Sequence, residues 1–368
     1  MKNKKVLKLC CILYFLFSHI NSFAQQIVRG FVVDSITQKP IEGAAIFFDK
    51  TTYGTISNKN GFFVLKSREH TKSPLIIRYL GYQPKKIIDP PQNQNVKFNL
   101  NKQEENLEAV VINSKTQQER TPQTLTDKTQ KFKALTLFKH FFLGRYWRHN
   151  GTNIMNEEEL DYYITDDKLQ IIITAKKPLI IHNNSLDYEI TYYLEKFVLH
   201  RKMSDLTPQP VTDYYEYYGT ILFKDLQKRD KVRKKYRKAR NEVYYGSRLH
   251  FMRALAENTL EEEMFTILGV KVDTINIKTI PKENFTEVLP PKKFLVIHRK
   301  DLMHYDYKKK SDSIKHYIKA AASSIYAKRN FGIDETGNFF PWDAIMFEGR
   351  FSLEGISKAL PIDFKPYP

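Results

Sequence analysis

Cysteine is absent after residue 11. The only two, Cys10 and Cys11, lie in the apolar run that opens the chain. Without that run the protein has no disulfide, no thiol nucleophile and no cysteine-based zinc site. Export permits disulfides, so packed cores must supply the stability. None of the ten histidines is followed three residues later by glutamate, and there is no His-Glu-x-x-His, so a zinc peptidase is excluded on ligand spacing. A Gly-x-Ser-x-Gly elbow, a Walker loop and a dinucleotide fingerprint are missing as well. No catalytic residue, metal or cofactor is therefore expected. A spanning helix needs about 20 apolar residues, and none is expected in the mature chain.

The opening residues read as an export signal. Lys2, Lys4, Lys5 and Lys8 precede an unbroken apolar run from Leu9 to Phe17, and Ser22-Phe23-Ala24 offers the small residues a signal peptidase reads. Cleavage between Ala24 and Gln25 is expected, with residues 1–24 removed. The cysteines stand at the front of the apolar run rather than after it, which argues against lipidation. The formal charge is +18, and four of those lysines leave with the signal, so 55 basic residues then face 41 acidic ones. Export sets nucleic acid aside as a partner. An envelope glycan, a lipid headgroup layer or an envelope protein is the expected target of such a field, in the periplasm or at the outer membrane.

Short β-prone runs with turn residues between them follow: Ile27–Val33, Ile41–Phe48, Thr55–Ser57, Phe62–Leu65, Leu75–Leu80, Lys86–Ile88 and Val96–Leu100. This spacing predicts an antiparallel sandwich. Asn60-Gly61 between two apolar runs predicts a hairpin joining 55–57 to 62–65. The order Gly30-Phe31-Val32, Pro40-Ile41-Glu42-Gly43-Ala44, Thr55-Ile56-Ser57, Asn60-Gly61-Phe62-Phe63 and Leu80-Gly81-Tyr82 resembles the carboxypeptidase-regulatory-like domain. That resemblance implies a transthyretin-like sandwich over 25–112, an accessory unit of exported proteins rather than a protease. The family usually places Asp where Asn58 and Asn60 stand here. These two are read as turn formers and not as calcium ligands, which call for several carboxylates.

Leu107–Ile112 is a further β-prone run, read as a last sandwich strand. It also resembles the stretch that leads into the plug of TonB-dependent transporters. Only 256 residues follow it, too few for a 22-stranded barrel with loops and plug at about 10 residues per strand. Residues 113–128, polar and carrying Pro122, read as a linker. Residues 129–368 read as an α+β domain. Phe132, Leu135, Phe138 and Phe142 fall at helical spacing before Gly144. Leu169–Ile173 and Tyr217–Phe223 read as strands, and Leu186 to Leu194 alternates with a period of two. Ser247 is placed as the cap of a helix over Arg248–Glu257 with Leu249, Met252 and Ala256 facing inward. Phe265–Leu268 and Phe294–Ile297 read as later strands. Phe142-Leu143-Gly144, Pro178 to Tyr192 and Tyr245 to Leu255 resemble the C-terminal part of exported proteins with the same front domain, a resemblance that supplies no activity. The expected architecture is β-rich, an N-terminal antiparallel β-sandwich followed by an α+β domain.

Two surfaces stand out. Nine of the thirteen residues at 228–240 are basic, while Val232, Tyr236, Ala239 and Val243 form a thin apolar stripe, an amphipathic helix. Lys231, Arg233, Lys234, Lys235, Arg237 and Lys238 are the candidate anion-binding residues. The plainer alternative sets this face against Glu157–Glu159 or Glu261–Glu263. Tyr214, Tyr215, Tyr217 and Tyr218 are candidates for stacking on a glycan, against the commoner use of strand aromatics as core. His250 and Arg253, one helical turn apart, are read as a satisfied structural pair. The functional expectation is a non-enzymatic envelope binding or scaffolding protein. The alternatives are a hydrolase assembled by folding in the C-terminal domain, marked by a pocket of convergent His, Asp or Glu, and an adaptor whose front domain docks on an outer-membrane transporter or secretion component, marked by an open edge strand.

Overall fold

The computed structural model describes residues 26–68, 71–103, 122–204, 207–228, 231–299, 321–341 and 343–368. The export signal, its cleavage site at Ala24–Gln25, the run 107–112 and the first part of the linker lie outside the described residues. The protein is β-rich, and among the described residues its helices lie in the second part.

Seven strands form the front unit: β1 (Gln26–Asp34), β2 (Ala45–Phe48), β3 (Gly54–Ile56), β4 (Phe62–Ser67), β5 (Leu75–Arg78), β6 (Lys85–Ile87) and β7 (Asn95–Leu100). They make two facing sheets, β4-β1-β7 and β3-β2-β5-β6. Alternate residues of each point inward, among them Val28, Val32, Ile46, Phe48, Phe63, Leu65, Leu75, Ile77 and Phe98, and close one core. The sandwich forms as expected, with one parallel pair, and one expectation needs correction. All pairs run antiparallel except β1–β7, which is parallel. The Asn60-Gly61 turn exists, but it is no hairpin: β3 pairs with β2 and β4 with β1, so the turn carries the chain from one sheet to the other. The Asn58 side chain accepts from the amides of Asn60 and Phe62, and Gly61 closes the turn at φ +71°. Local turn chemistry thus fixed the bend, while burial decided which sheet each strand joined.

The Leu80-Gly81-Tyr82 turn folds back on the end of β1. Asp34 accepts from the amide of Thr37 (2.7 Å), the hydroxyl of Tyr82 (2.8 Å) and the amide of Ile36 (2.9 Å). These donors hold its pKa down at about 2. A pKa lowered by folding stabilises above the unfolded value of about 4 and is lost as pH falls through the folded one. The melting temperature of the protein is therefore expected to drop more steeply between about pH 4 and pH 2 than that of Asp34→Asn. Parallel curves for the two proteins would refute this role.

The second unit begins inside the stretch read as linker. β8 (Pro122–Thr124) pairs with a later strand and Leu125 is buried, so residues 122–125 are built into the second unit. Helix α1 (Lys128–Phe138), capped by Asp127, runs on through a wider π-type turn, 139–143, that stops at Gly144 with φ +96°. Phe138 and Phe142 are buried and stacked, while Phe132 is 70% exposed. Strands β9 (Thr152–Ile154), β10 (Leu160–Thr165), β11 (Gln170–Ala175), β12 (Leu179–Asn183), β13 (Tyr188–Ser204) and β14 (Thr207–Asp225) complete a seven-stranded sheet. The long strand β13 is flanked on one side by β12 and β11 end to end, and on the other by β14. Its alternating Tyr188, Ile190, Tyr192 and Leu194 point into the main core with Phe138, Phe142 and Phe197.

Helices α2 (Lys234–Tyr244) and α3 (Arg248–Glu257) follow. Ser247 caps α3 through the amide of His250. The buried face of α3 is Phe251, Met252, Ala254 and Leu255 rather than the Leu249, Met252 and Ala256 stripe, because sheets enclose it more fully than a surface helix. These sheets are built from β15 (Phe265–Leu268), β16 (Lys278–Pro281), β17 (Thr286–Leu289), β18 (Lys293–His298), β19 (Ser323–Ala327), β20 (Phe331–Ile333), β21 (Phe339–Phe340) and β22 (Ile345–Gly349), in the orders β15-β18-β19-β22 and β16-β17-β20-β21.

The front unit is docked, not tethered. Its turn at 49–51 lies along the outer side of β14. The Lys50 amide donates to Ile221 O (2.8 Å) and Phe223 N to Thr51 O (2.9 Å), while the Asp49 carboxylate takes the Ile221 amide (2.8 Å). Phe47 points away from the sandwich core and stacks on Tyr193, with ring centroids 5.3 Å apart. A Cβ on Gly54 would come within 2.9 Å of Leu222. The amide and hydroxyl of Thr52 both donate to Asp363, and the amide of Lys72 donates to Asp334. Burial raises the pKa of Asp49 and of Asp334.

Candidate anion-binding surface

Helix α2 starts at Lys234, so Lys231 and Arg233 lie on its approach and Lys234, Lys235, Arg237 and Lys238 on its first turns. All six are exposed. Val232, Tyr236 and Tyr244 are buried, and Ala239 and Val243 pack on the main core. A buried ion pair adds to the apolar stripe. Arg240, fully buried, grips both oxygens of Asp225 (2.7 and 2.8 Å), donates to Leu186 O (2.8 Å), and lies 4.0 Å from the centre of the Tyr188 ring. Burial opposes its charge, but the Asp225 carboxylate, together with Tyr188 and Tyr367, offsets that and keeps its pKa above the usual value. The sequence counted Arg240 among the nine basic residues of 228–240 without naming it as an anion-binding candidate or placing it inside. Its position four residues after Tyr236 and four before Tyr244 is the signal that could have placed it inside.

The plainer alternative, a basic face against acidic neighbours, is not what the structure shows. Glu157 pairs with Lys139, Glu159 with Lys177 (2.8 Å) and Glu263 with His250 (2.7 Å). Among the described residues, the one carboxylate within ion-pair distance of the six cations is Glu242 of the same helix, 3.8 Å from Lys238. An exposed pair of this kind is worth about 0.3–0.5 kcal/mol and leaves the field of the face standing.

The four tyrosines do not form one platform. A strand sends alternate residues to opposite faces. Tyr215 and Tyr217 pack on the main core beside Phe141, Phe142 and Phe197. Tyr214 (54% exposed) and Tyr218 (37%) face outward with Glu216 between them. Tyr214 stacks on His200 at 4.1 Å, and Tyr218 donates to Glu216 at 2.8 Å. His200 and Tyr218 hold the Glu216 carboxyl below its usual pKa, and burial with Glu216 pushes Tyr218 up to about 12. Stacking on a glycan is thereby corrected for Tyr215 and Tyr217, whose rings are core. The outer pair is already engaged in a cross-strand cluster.

At His250, Nδ1 accepts from the Gly246 amide (3.0 Å), so the ring proton sits on Nε2 and points at Glu263. Arg253 donates to Thr336 O and Ile362 O. Both side chains tie loops together. A cavity of about 290 Å³ opens where the front unit meets the second, lined by Lys72, Glu257, Lys282, Phe285, Asp334 and Glu335 among others. Asp334 is fully occupied there, accepting from Thr336, Asn338 and Lys72, and no histidine lines the cavity. Among the described residues no cluster of three or more His, Cys, Asp or Glu is placed to hold a metal, and no helix is long and apolar enough to cross a membrane.

Sequence reasoning missed a second cationic element. The loop after Gly144 presents Arg145, Tyr146, Arg148 and His149 outward. Arg145 and Lys358 lie 5.9 and 5.3 Å from the Tyr146 ring centre, and Lys139 and Arg148 5.4 and 5.1 Å from that of Trp147. Interleaved Arg and aromatic residues over 145–149 were the available signal.

Comparison with known proteins agrees with the front unit. Residues 28–112 match the CarboxypepD_reg-like domain. The chain is also similar to the TonB-dependent receptor SusC of Bacteroides thetaiotaomicron, 37% identical over 73 residues, which is 20% of this chain and 7% of the receptor. The match thus spans a small part of the receptor's length.

Proposed function

We propose that the protein is a non-enzymatic binding module of the cell envelope. The front sandwich and the second unit act as one body that presents the basic face of α2 to an anionic envelope component. The observation that carries this reading is the set of six exposed cations on α2 and the residues leading into it, anchored from beneath by Arg240. The export signal read at 1–24, the front domain and the similarity to an outer-membrane receptor support an envelope setting. Retention of the purified protein on outer-membrane or peptidoglycan fractions is expected to fall as salt rises, because exposed charges are screened within about 10 Å at 0.1 M. A variant with Lys231, Arg233, Lys234, Lys235, Arg237 and Lys238 replaced by Gln should bind about 10⁴-fold more weakly, at about fivefold per cation. Unchanged retention in the variant would remove α2 from the reading.

One observation favours the adaptor alternative. The turn at 49–51 covers β14 only near 221–223. No described strand pairs with the rest of its outer side, which leaves an edge suited to strand addition. This edge belongs to the second unit, whereas the sequence reading placed the docking function in the front domain.

A further inference from the structure

We infer that the ligand of the basic face is a phosphate-headgroup lipid layer, and that the loop 145–149 touches it together with α2. This rests on the reading of α2 as an anion-binding face.

The two cationic elements flank one turn, 184–187, at one end of the seven-stranded sheet. On one side Arg240 of α2 donates to Leu186 O and Asp187 O. On the other, the amide of Asn184 donates to Gly151 O, at the foot of the loop, and Asn150 and Asn183 both reach Ser357 beside Lys358. The loop is stiff. Trp147 N bonds Gly144 O, Asn150 N bonds Tyr146 O and Gly151 N bonds Arg148 O. Gly144 lies so close to Gly355 that a Cβ on Gly355 would sit 2.5 Å from Gly144 Cα. Arg145, Arg148, Lys358 and the α2 cations thus belong to one end of a rigid body.

The acids of this end are engaged. Asp225 holds Arg240, Glu157 holds Lys139, Glu189 holds Lys224 (3.0 Å), Glu242 faces Lys238, Asp187 takes Gln227 and Glu354 takes the Arg248 amide. Against these six carboxylates stand Arg240, Lys139, Lys224, Arg145, Arg148, Lys358 and the six cations of 231–238, twelve in all, so the surface carries net positive charge. Its chemistry favours phosphates over neutral sugars, because the Tyr146 and Trp147 rings each lie beneath two cations. Arg145, Arg148 and the six cations of 231–238 are exposed and spread over two separate elements, an arrangement that suits an extended layer better than a small ligand. Tyr146, 53% exposed, and the half-buried Trp147 are the side chains that settle at the headgroup level of a bilayer.

The test is co-sedimentation of the purified protein with phosphatidylcholine vesicles, with and without phosphatidylglycerol. The inference predicts binding only to the anionic vesicles, suppressed by salt. It also predicts binding about 100-fold weaker for Arg145→Gln/Arg148→Gln/Lys358→Gln, at about fivefold per cation, with thermal melting unchanged. Arg145→Lys/Arg148→Lys, which keeps the charges, should bind as the parent does. Anionic vesicles bound equally well by the Gln variant would overturn the role of the loop and leave α2 standing. No binding to anionic vesicles, alongside salt-sensitive retention on peptidoglycan, would overturn the lipid assignment without touching the anion-binding reading. Loss of binding in the Lys variant too would show that shape rather than charge was at work, and would overturn the inference.

Discussion

Arg240→Ala is expected to destabilise the protein by about 3–5 kcal/mol, the usual cost of breaking a buried ion pair from one side. The guanidinium satisfies the Asp225 carboxylate twice, caps the carbonyl of Leu186 and reaches that of Asp187. Its removal leaves a partly buried carboxylate without its fork and the 184–187 turn without its donor. Arg240→Lys should recover little, since one ammonium cannot reproduce the bidentate geometry or the flat packing on Tyr188. Arg240→Ala/Asp225→Ala should lose less than the two single variants added together, because the pair acts as a unit. Vesicle or envelope binding should also weaken, although no exposed cation has changed, because α2 is held to the sheet by this contact. Urea denaturation of the four proteins is the measurement. A loss below about 1 kcal/mol for Arg240→Ala would mean that the apolar stripe anchors the helix by itself.

Phe47→Ala is expected to cost about 3–5 kcal/mol, as for other buried phenylalanines, and to loosen the front unit from the second. Phe47 is on β2, between Ile46 and Phe48 of the sandwich core, and its ring points the other way, onto Tyr193. Beside it Arg78 lies over the same tyrosine and pairs with Glu195. The outer face of this sheet is therefore an internal seam. The parent protein should unfold in one transition, with the variant separating into two, and proteolysis should then release the front unit first. If Phe47→Ala melts within about 1 kcal/mol of the parent in a single step, the seam contributes little and the front unit is stable in its place by other contacts.

The strands were legible because a half-buried strand must alternate. Tyr188 to Leu194 reads inward and outward from sequence alone, as does the front sandwich, and Ser247 declares the start of α3 through its own side chain. The same period of two separates Tyr214 and Tyr218 from Tyr215 and Tyr217. Position along the chain determined the basic composition of 228–240, but not which cation would turn inward.

What the sequence determined by itself is local: which segments are extended, where the chain bends at Asn58–Gly61, how helices are capped and how much positive charge the second unit carries. Tertiary structure alone decided that the strands on either side of that bend join different sheets. It also decided that the front unit seals part of the β14 edge, that Arg240 leaves the basic face to meet Asp225, and that the 145–149 loop shares one end of the sheet with α2. These are pairings between residues far apart in the chain or on different elements. No local period encodes them, because the free energy that selects them comes from burying surface and satisfying charges that meet only once the whole chain has folded.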